Sequence, residues 1–215
     1  MKTKLIALAL IFGFILTGCG FYGIRGNGRI KSESRKVSEF SKIEAGGAFT
    51  IHVKVGPAAS VKVSAEENLM GIIRTRVRGN SLIIDTRKNI SPRKEIIINI
   101  TTPSLDNLEV SGANNVDVEN ISCDEFSMEL SGAGSVNLNG VVDRLLADLS
   151  GAGSINAREL KAKDVRISVS GAASADVFAS KYLDASVSGV GSIEYYGNPE
   201  KTKTDVSGVG SISRK

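Results

Sequence analysis

The sequence predicts an all-β protein: a right-handed parallel β-helix of about six coils of about 20 residues each, preceded by a β-stranded N-terminal half. Three observations carry this. A small-residue pentad recurs six times at a nearly fixed interval. Aliphatic and polar residues alternate on both sides of the copies. Aromatic residues make up only 5% of the chain, with no Trp, against 23 Gly in 215 residues. That balance suits thin coils better than a broad core.

The pentads are Ser111-Gly112-Ala113-Asn114-Asn115, Ser131-Gly132-Ala133-Gly134-Ser135, Ser150-Gly151-Ala152-Gly153-Ser154, Ser170-Gly171-Ala172-Ala173-Ser174, Ser188-Gly189-Val190-Gly191-Ser192 and Ser207-Gly208-Val209-Gly210-Ser211. Their first serines are 20, 19, 20, 18 and 19 residues apart. Before them run Leu108/Val110, Met128/Leu130 and Ile167/Val169; after them run Val116/Val118, Val136/Leu138 and Ile193/Tyr195. Alternation of period two is the strand signal. Each repeat therefore reads as strand, Gly-rich bend, strand, polar turn. One coil per repeat stacks Ser on Ser and Gly on Gly at the strand spacing of about 4.8 Å. The column Gly112, Gly132, Gly151, Gly171, Gly189 and Gly208 is expected to supply positive φ at the bend. The next column, Ala113, Ala133, Ala152, Ala172, Val190 and Val209, is expected to point inward. Right-handedness follows the rule for parallel crossovers. A phosphate cradle is disfavoured: no Lys or helix pattern follows the glycines, and six copies are too many.

The chain opens differently. Lys2 and Lys4 precede an apolar run from Leu5 to Leu16, then Leu16-Thr17-Gly18-Cys19. A basic start, a short apolar stretch and a small-residue site make residues 1–18 a secretory signal peptide. Leu-Thr-Gly-Cys resembles the lipobox of bacterial lipoproteins. That resemblance implies cleavage before Cys19, acylation of its thiol and a membrane partner through the lipid anchor. Gly20-Phe21-Tyr22-Gly23 holds no acid, unlike the acidic stretch that resembles a surface-export signal, so an outer-membrane site facing the periplasm is expected. With Cys19 acylated, Cys123 is the remaining thiol, and neither an intramolecular disulfide nor a zinc site is expected.

Residues 19–35 read as a Gly- and Arg-rich tether, with a first strand emerging near Ile30. Residues 36–104 form the N-terminal β region, with strands near 37–44, 48–55, 60–65, 72–78, 81–86 and 95–101. Gly79-Asn80 marks a hairpin. Glu66 to Met70 reads as a helical turn. The unbroken Ile96-Ile97-Ile98 is expected to be covered on both faces. Residues 105–215 hold the repeats. Residues 19–104 carry 15 Lys and Arg against 7 acids, and residues 105–215 carry 10 against 16. The basic half adjoins the lipid site, which favours weak attraction to anionic head groups. Edge-strand Lys and Arg that discourage edge pairing give the same composition. An exported lipoprotein is not expected to bind nucleic acid.

The outward positions form columns. Glu109, Glu129, Asp148 and Asp205 share one phase, with Ser168 and Ser186 between. Asp117, Asn137, Asn156, Asp176 and Glu194 share another. Solvated faces give this pattern. So do sites for Ca²⁺ and the paired carboxylates of polysaccharide-active β-helix enzymes. A lyase also wants a base beside its acids, and the repeats offer only scattered Lys and Arg. His52 alternates with Ile51 and Val53 and is expected on a strand facing solvent. Tyr182, Tyr195 and Tyr196 are the only tyrosines of the repeats, so a carbohydrate groove is expected only near the last coils. The candidate ligand face is Glu129, Asp148, Asn137, Asn156, Asp176, Tyr195 and Tyr196. No catalytic residue, metal ligand or small-molecule cofactor is assigned.

Three segments carry a family resemblance: Arg35-Lys36-Val37-Ser38-Glu39-Phe40-Ser41-Lys42-Ile43, Gly47-Ala48-Phe49-Thr50-Ile51-His52-Val53, and Ser60-Val61-Lys62-Val63-Ser64-Ala65-Glu66-Glu67-Asn68-Leu69. With the Ser-Gly-Ala-Gly-Ser repeats, they are similar to the head GIN domain family of auto-transporter adhesins, common in Bacteroidota. The likeness spans nearly all of residues 27–213. It implies a β-helix-like fold, export and a role in adhesion. The expectation is thus a non-enzymatic cell-envelope lipoprotein, an adhesion or binding module whose flat face meets a cell-surface glycan or an envelope protein. The alternatives are a polysaccharide lyase or hydrolase, and a structural or stress-related envelope protein with a protein partner.

Overall fold

The computed structural model describes residues 23–215. The signal segment and Cys19 lie outside the described residues. In chain order the elements are β1 (Ile24–Arg25), β2 (Ile30–Arg35), β3 (Lys42–Gly47), β4 (Thr50–Val55), β5 (Ser60–Glu66), the helical turn α1 (Glu67–Met70), β6 (Ile73–Arg78), β7 (Ser81–Thr86), β8 (Ile90–Ser91), β9 (Ile97–Thr102) and β10 (Asn107–Gly112). The long strands β11 (Asn115–Leu130), β12 (Ser135–Leu149), β13 (Ser154–Gly171) and β14 (Ser174–Gly189) follow, then β15 (Ser192–Tyr196), β16 (Lys201–Gly208) and β17 (Ser211–Arg214).

These strands build a parallel β-solenoid of about five turns, and six stacked pentads join its two walls. Wall A runs β6, β7, β3, β10, the second parts of β11 to β14, and β16. Wall B runs β2, β5, β9, β4, the first parts of β11 to β14, β15 and β17. Alternation along each strand puts the aliphatic residue inside. Leu108, Met128, Ala147, Ile167 and Ala185 stack on wall A, and Ile51, Val116, Val136, Ile155, Ala175 and Ile193 on wall B, all buried.

The pentads form the first corner and lie in single file. The backbone N–H of each third residue donates to the carbonyl of the second residue one coil below: Ala133 to Gly112 at 2.8 Å, Ala152 to Gly132 at 3.0 Å, Val190 to Gly171 at 2.9 Å. The file begins one coil earlier than the repeat does. Ala113 donates to Gly47 at 2.7 Å, so Gly46-Gly47-Ala48-Phe49-Thr50 is a degenerate pentad. The second corner is built from bulges near Val118/Ile121, Asn137/Asn139 and Ala157/Lys161. There the chain turns through positive φ at Asn120 (64°), Gly140 (146°) and Gly197 (91°). Asn is among the few side chains that tolerate this region.

Several expectations change. The Ala/Val column points out, with Val190 65% and Val209 78% exposed. The cause is phase: alternation runs unbroken through the bend, from inward Val110 to inward Asn114 and Val116, so Ala113 faces solvent. The inward column is therefore the fourth residue, Phe49, Asn114 and Ala173 with glycines elsewhere. The buried Asn114 amide is satisfied, accepting from Phe49 N at 2.9 Å and donating to Ser111 O at 2.6 Å. Positive φ is found at Gly112, Gly171, Gly189 and Gly208 but not at Gly132 or Gly151. What the column shares is close approach: a Cβ at any member would collide with the carbonyl oxygen of the glycine beneath it. Ile97 is half-exposed between buried Ile96 and Ile98, so that strand is covered on one face.

Residues 36–104 are continuous with the coils, because β3 pairs with β10 and β4 with β11. The excursion β5–β9 returns to extend both walls, antiparallel at β5–β9 and β6–β7 and parallel at β3–β7 and β4–β9. Within the segment expected to be a tether, β1 pairs with β8 and β2 with β5.

Candidate ligand-binding face

Stacking turns each outward phase into a row of side chains one strand spacing apart. On wall B the row is Asn99, His52, Asp117, Asn137, Asn156, Asp176, Glu194 and Ser213, each the direct partner of the next. Its members interlock. His52 Nδ1 lies 3.2 Å from Asp117 Oδ2, and Asn137 Nδ2 donates to Asp117 Oδ1 at 2.7 Å. Two residues further along the same strands, Lys54 stands opposite Glu119 and Asn139 opposite Glu159. The second corner bends the wall between these rows and opens a groove of about 430 Å³. It is lined by His52, Asp117, Glu119, Asn137, Asn156 and Glu159, with Asn120 and Asn139 at the corner. Carboxylates accept, amides do both, and imidazole does one or the other. The groove therefore offers a dense, directional array of hydrogen-bonding groups over an aliphatic floor of Val118 and Leu138.

Beyond the groove the row continues toward the C-terminal coils. Burial raises the Asp176 carboxyl above its ordinary value and neighbouring Glu194 adds to this, while Arg158 and Lys215 oppose it. Lys215 Nζ reaches Glu194 at 3.2 Å. Tyr196 pairs with Phe178 across the strands, and both rings carry a cation at 4.4 Å, Arg158 over Tyr196 and Lys161 over Phe178. Tyr195 is half-buried against the core.

The residues named from sequence thus fall on two surfaces. Asn137, Asn156 and Asp176 are adjacent on wall B, with Tyr195 and Tyr196 at the far end of that wall. Glu129 and Asp148 are on wall A, in a row with Glu44 and Glu109. Sequence reasoning passed over Glu119, Asn120 and Glu159; it placed His52 on a solvent-facing strand, where it stands, but outside the ligand face. His52 was legible in principle: it stands six residues after Gly46, as Asp117 stands six after Ser111. Cys123 follows the second corner half-buried, its thiol pushed up by burial and donating to Glu125 O at 3.3 Å. Among the described residues no group of three or more His, Cys, Asp and Glu is placed to hold a metal ion, and no helix is long and apolar enough to cross a membrane.

The family model for the putative auto-transporter adhesin, head GIN domain, matches residues 39–199. The chain belongs to the head GIN domain family. The matched span includes every residue that lines the groove. A crystal structure of a putative adhesin from Bacteroides fragilis is similar over 90% of this chain and 100% of its own, at 28% identity and TM-score 0.76. A putative lipid binding protein and a putative adhesin, both from Parabacteroides distasonis, share the fold. They are 21% and 18% identical, with TM-scores of 0.55 and 0.57. They match 89% and 90% of this chain and 99% and 100% of their own. No curated protein matches the chain. An adhesin-like role at the cell envelope or surface is the coarse assignment that goes with the head GIN domain family.

Proposed function

We propose that this head GIN domain is a lipid-anchored binding module of the cell envelope. Acylated Cys19 holds it to the outer membrane, and the wall B groove takes the hydroxyl-rich chain of a glycan. The observation that carries the reading is the groove itself. Its groups repeat along the rod at the strand spacing of about 4.8 Å, so a polymer lying along the row meets a hydrogen-bonding group again at every coil. The row is already interlocked by the His52–Asp117–Asn137 contacts. Ordered side chains have less rotamer entropy to lose on binding. With Tyr196 beneath Arg158, recognition rests on hydrogen bonds more than on a bare stacking ring.

Retention on immobilised glycans and on whole cells tests the groove. Asp117→Ala with Asn137→Ala is expected to lower binding at least about tenfold, since two charged or neutral hydrogen bonds contribute roughly 1–3 kcal/mol each when a partner is left unpaired. Glu129→Ala with Asp148→Ala on wall A is expected to leave binding unchanged. Equal loss from the two pairs, or depolymerisation of the retained glycan, contradicts the reading. For the anchor, labelled palmitate is expected to enter the wild type and not Cys19→Ser. Equal incorporation removes the lipoprotein claim.

A further inference from the structure

The end of the rod where the described chain begins is a compact knot of loops with a charge of its own. Wall B ends in β2 and wall A in β6, and the β1–β8 pair closes between them. Backbone hydrogen bonds tie the loops together: Ile24 N to Asn89 O at 2.9 Å, Gly26 N to Ser91 O at 3.1 Å, Arg87 N to Ile72 O at 3.0 Å and Glu67 N to Arg29 O at 2.8 Å. At their centre the buried Glu66 carboxylate accepts from the backbone of Gly28 at 2.5 Å and Arg93 at 2.8 Å. Glu66 is thereby spent on backbone groups and is sealed from the surface.

The surface of this knot is cationic. Residues 23–36 and 87–94 contain nine Lys and Arg against one acid, Glu33, and Glu33 is paired with Arg35. Arg25, Arg29, Arg87, Lys88, Arg93 and Lys94 are exposed, and none forms an ion pair among the described residues. Glu67 on α1 and Glu95 are exposed acids beside these segments, the latter held by the Thr50 hydroxyl. The coils behave oppositely, with 16 acids against 10 Lys and Arg. Edge protection alone asks for cations on β2 and β6. It does not ask for Arg29, Arg87, Lys88, Arg93 and Lys94 on the connecting loops.

We infer that this knot is a docking surface for an anionic lipid bilayer, and that it sets the rod with its acidic coils pointing away from the membrane. A bilayer fits better than an extended polyanion because the cations cap the blunt end of the rod, over several loops, and do not line a groove. The described chain also enters at Gly23, in this knot, four residues after Cys19. The inference does not need Cys19 to be acylated. Cations held near an anionic surface add attraction within about one Debye length.

The test is co-sedimentation of the full-length chain carrying Cys19→Ser with two vesicle types, pure phosphatidylcholine and phosphatidylcholine with 30% phosphatidylglycerol. The apolar run near the N-terminus contributes to both, so the ratio between vesicles is the readout. At 50 mM salt the anionic vesicles are expected to bind at least about tenfold more protein, with the excess lost at 500 mM. Arg87→Glu, Lys88→Glu, Arg93→Glu and Lys94→Glu together should bring the ratio to one, while Lys161→Glu with Lys163→Glu on the coils should not change it. If the reversal set fails to melt cooperatively, the same four positions changed to Gln carry the comparison. A wild-type ratio of one, a ratio unmoved by the knot variants, or an equal drop from the coil variants overturns the inference. Competition by duplex DNA as effective as by vesicles at equal phosphate also overturns it, in favour of a general polyanion site.

Discussion

At Gly132 and Ala133, two neighbours in one pentad, the fold makes opposite demands. A Cβ at Gly132 collides with the carbonyl oxygen of Gly112, which is fixed in the ladder and cannot yield. Gly132→Ala is expected to destabilise by about 1–3 kcal/mol through overpacking, read as a lower urea midpoint. Ala133→Glu puts its charge in solvent and is expected to change stability by less than about 0.5 kcal/mol. A third residue sets a pH dependence. Burial pushes the Glu66 carboxyl up, but backbone N–H groups of Arg93, Gly28 and Lys94 together hold it below its ordinary value of 4.5. A carboxyl with a lowered native pKa stabilises above the unfolded value and loses that contribution as pH falls through the native one. Thermal melts of the wild type should therefore decline from about pH 5 downward more steeply than those of Glu66→Gln, which lacks this titration. Parallel curves would show that the carboxylate is not the tie.

Elements show what the sequence makes legible. Strand β5 and strand β7 stand where alternation put them, and the helical turn falls at Glu67–Met70 as read. Gly79 has φ 57° in the β6–β7 hairpin, as a Gly-Asn turn requires. The six pentads are legible because they repeat. Gly46–Thr50 is not, since Phe49 fills the inward position that small residues hold elsewhere and no flanking serines announce it. Hiding that coil also hid His52 as the lower member of the groove row. The groove needs one thing more that no period of two reveals: the second corner. Its positions drift through bulges, and only Asn120, Gly140 and Gly197 betray it by φ. Asn120→Gly is expected to be neutral or slightly stabilising. Asn120→Val is expected to cost about 1–2 kcal/mol, since a β-branched side chain is strained at positive φ. Chemical denaturation of both measures the difference, and equal stability would mean that the corner relaxes to another geometry.

Over the whole molecule, one coil rests on the next and the two walls share one interior from Phe40 to Ile193. Nearest-neighbour stacking is what makes rows of like side chains, and rows are what make the groove, so function at this scale is a consequence of register. The charge gradient belongs to the same scale: the coils carry 16 acids against 10 Lys and Arg, while the loops that close the first-described end take the opposite sign. The inward/outward choice at the pentad was legible in the alternation, since Val110, Asn114 and Val116 share one parity and Ala113 the other; the small size of the Ala side chain pointed the other way.

Register can be measured directly. In a Cys19→Ser, Cys123→Ala background, cysteine pairs at Asp117/Asn137 and Asn137/Asn156 have Cα partners in adjacent strands and suit a disulfide. Asp117/Asn156, two coils apart at about 9.6 Å by strand spacing, does not. Mild oxidation is expected to close the two adjacent pairs rapidly and within one chain, leaving the skipped pair open. Rapid closure of the skipped pair, or none in the adjacent pairs, would mean that these side chains do not stand one above another.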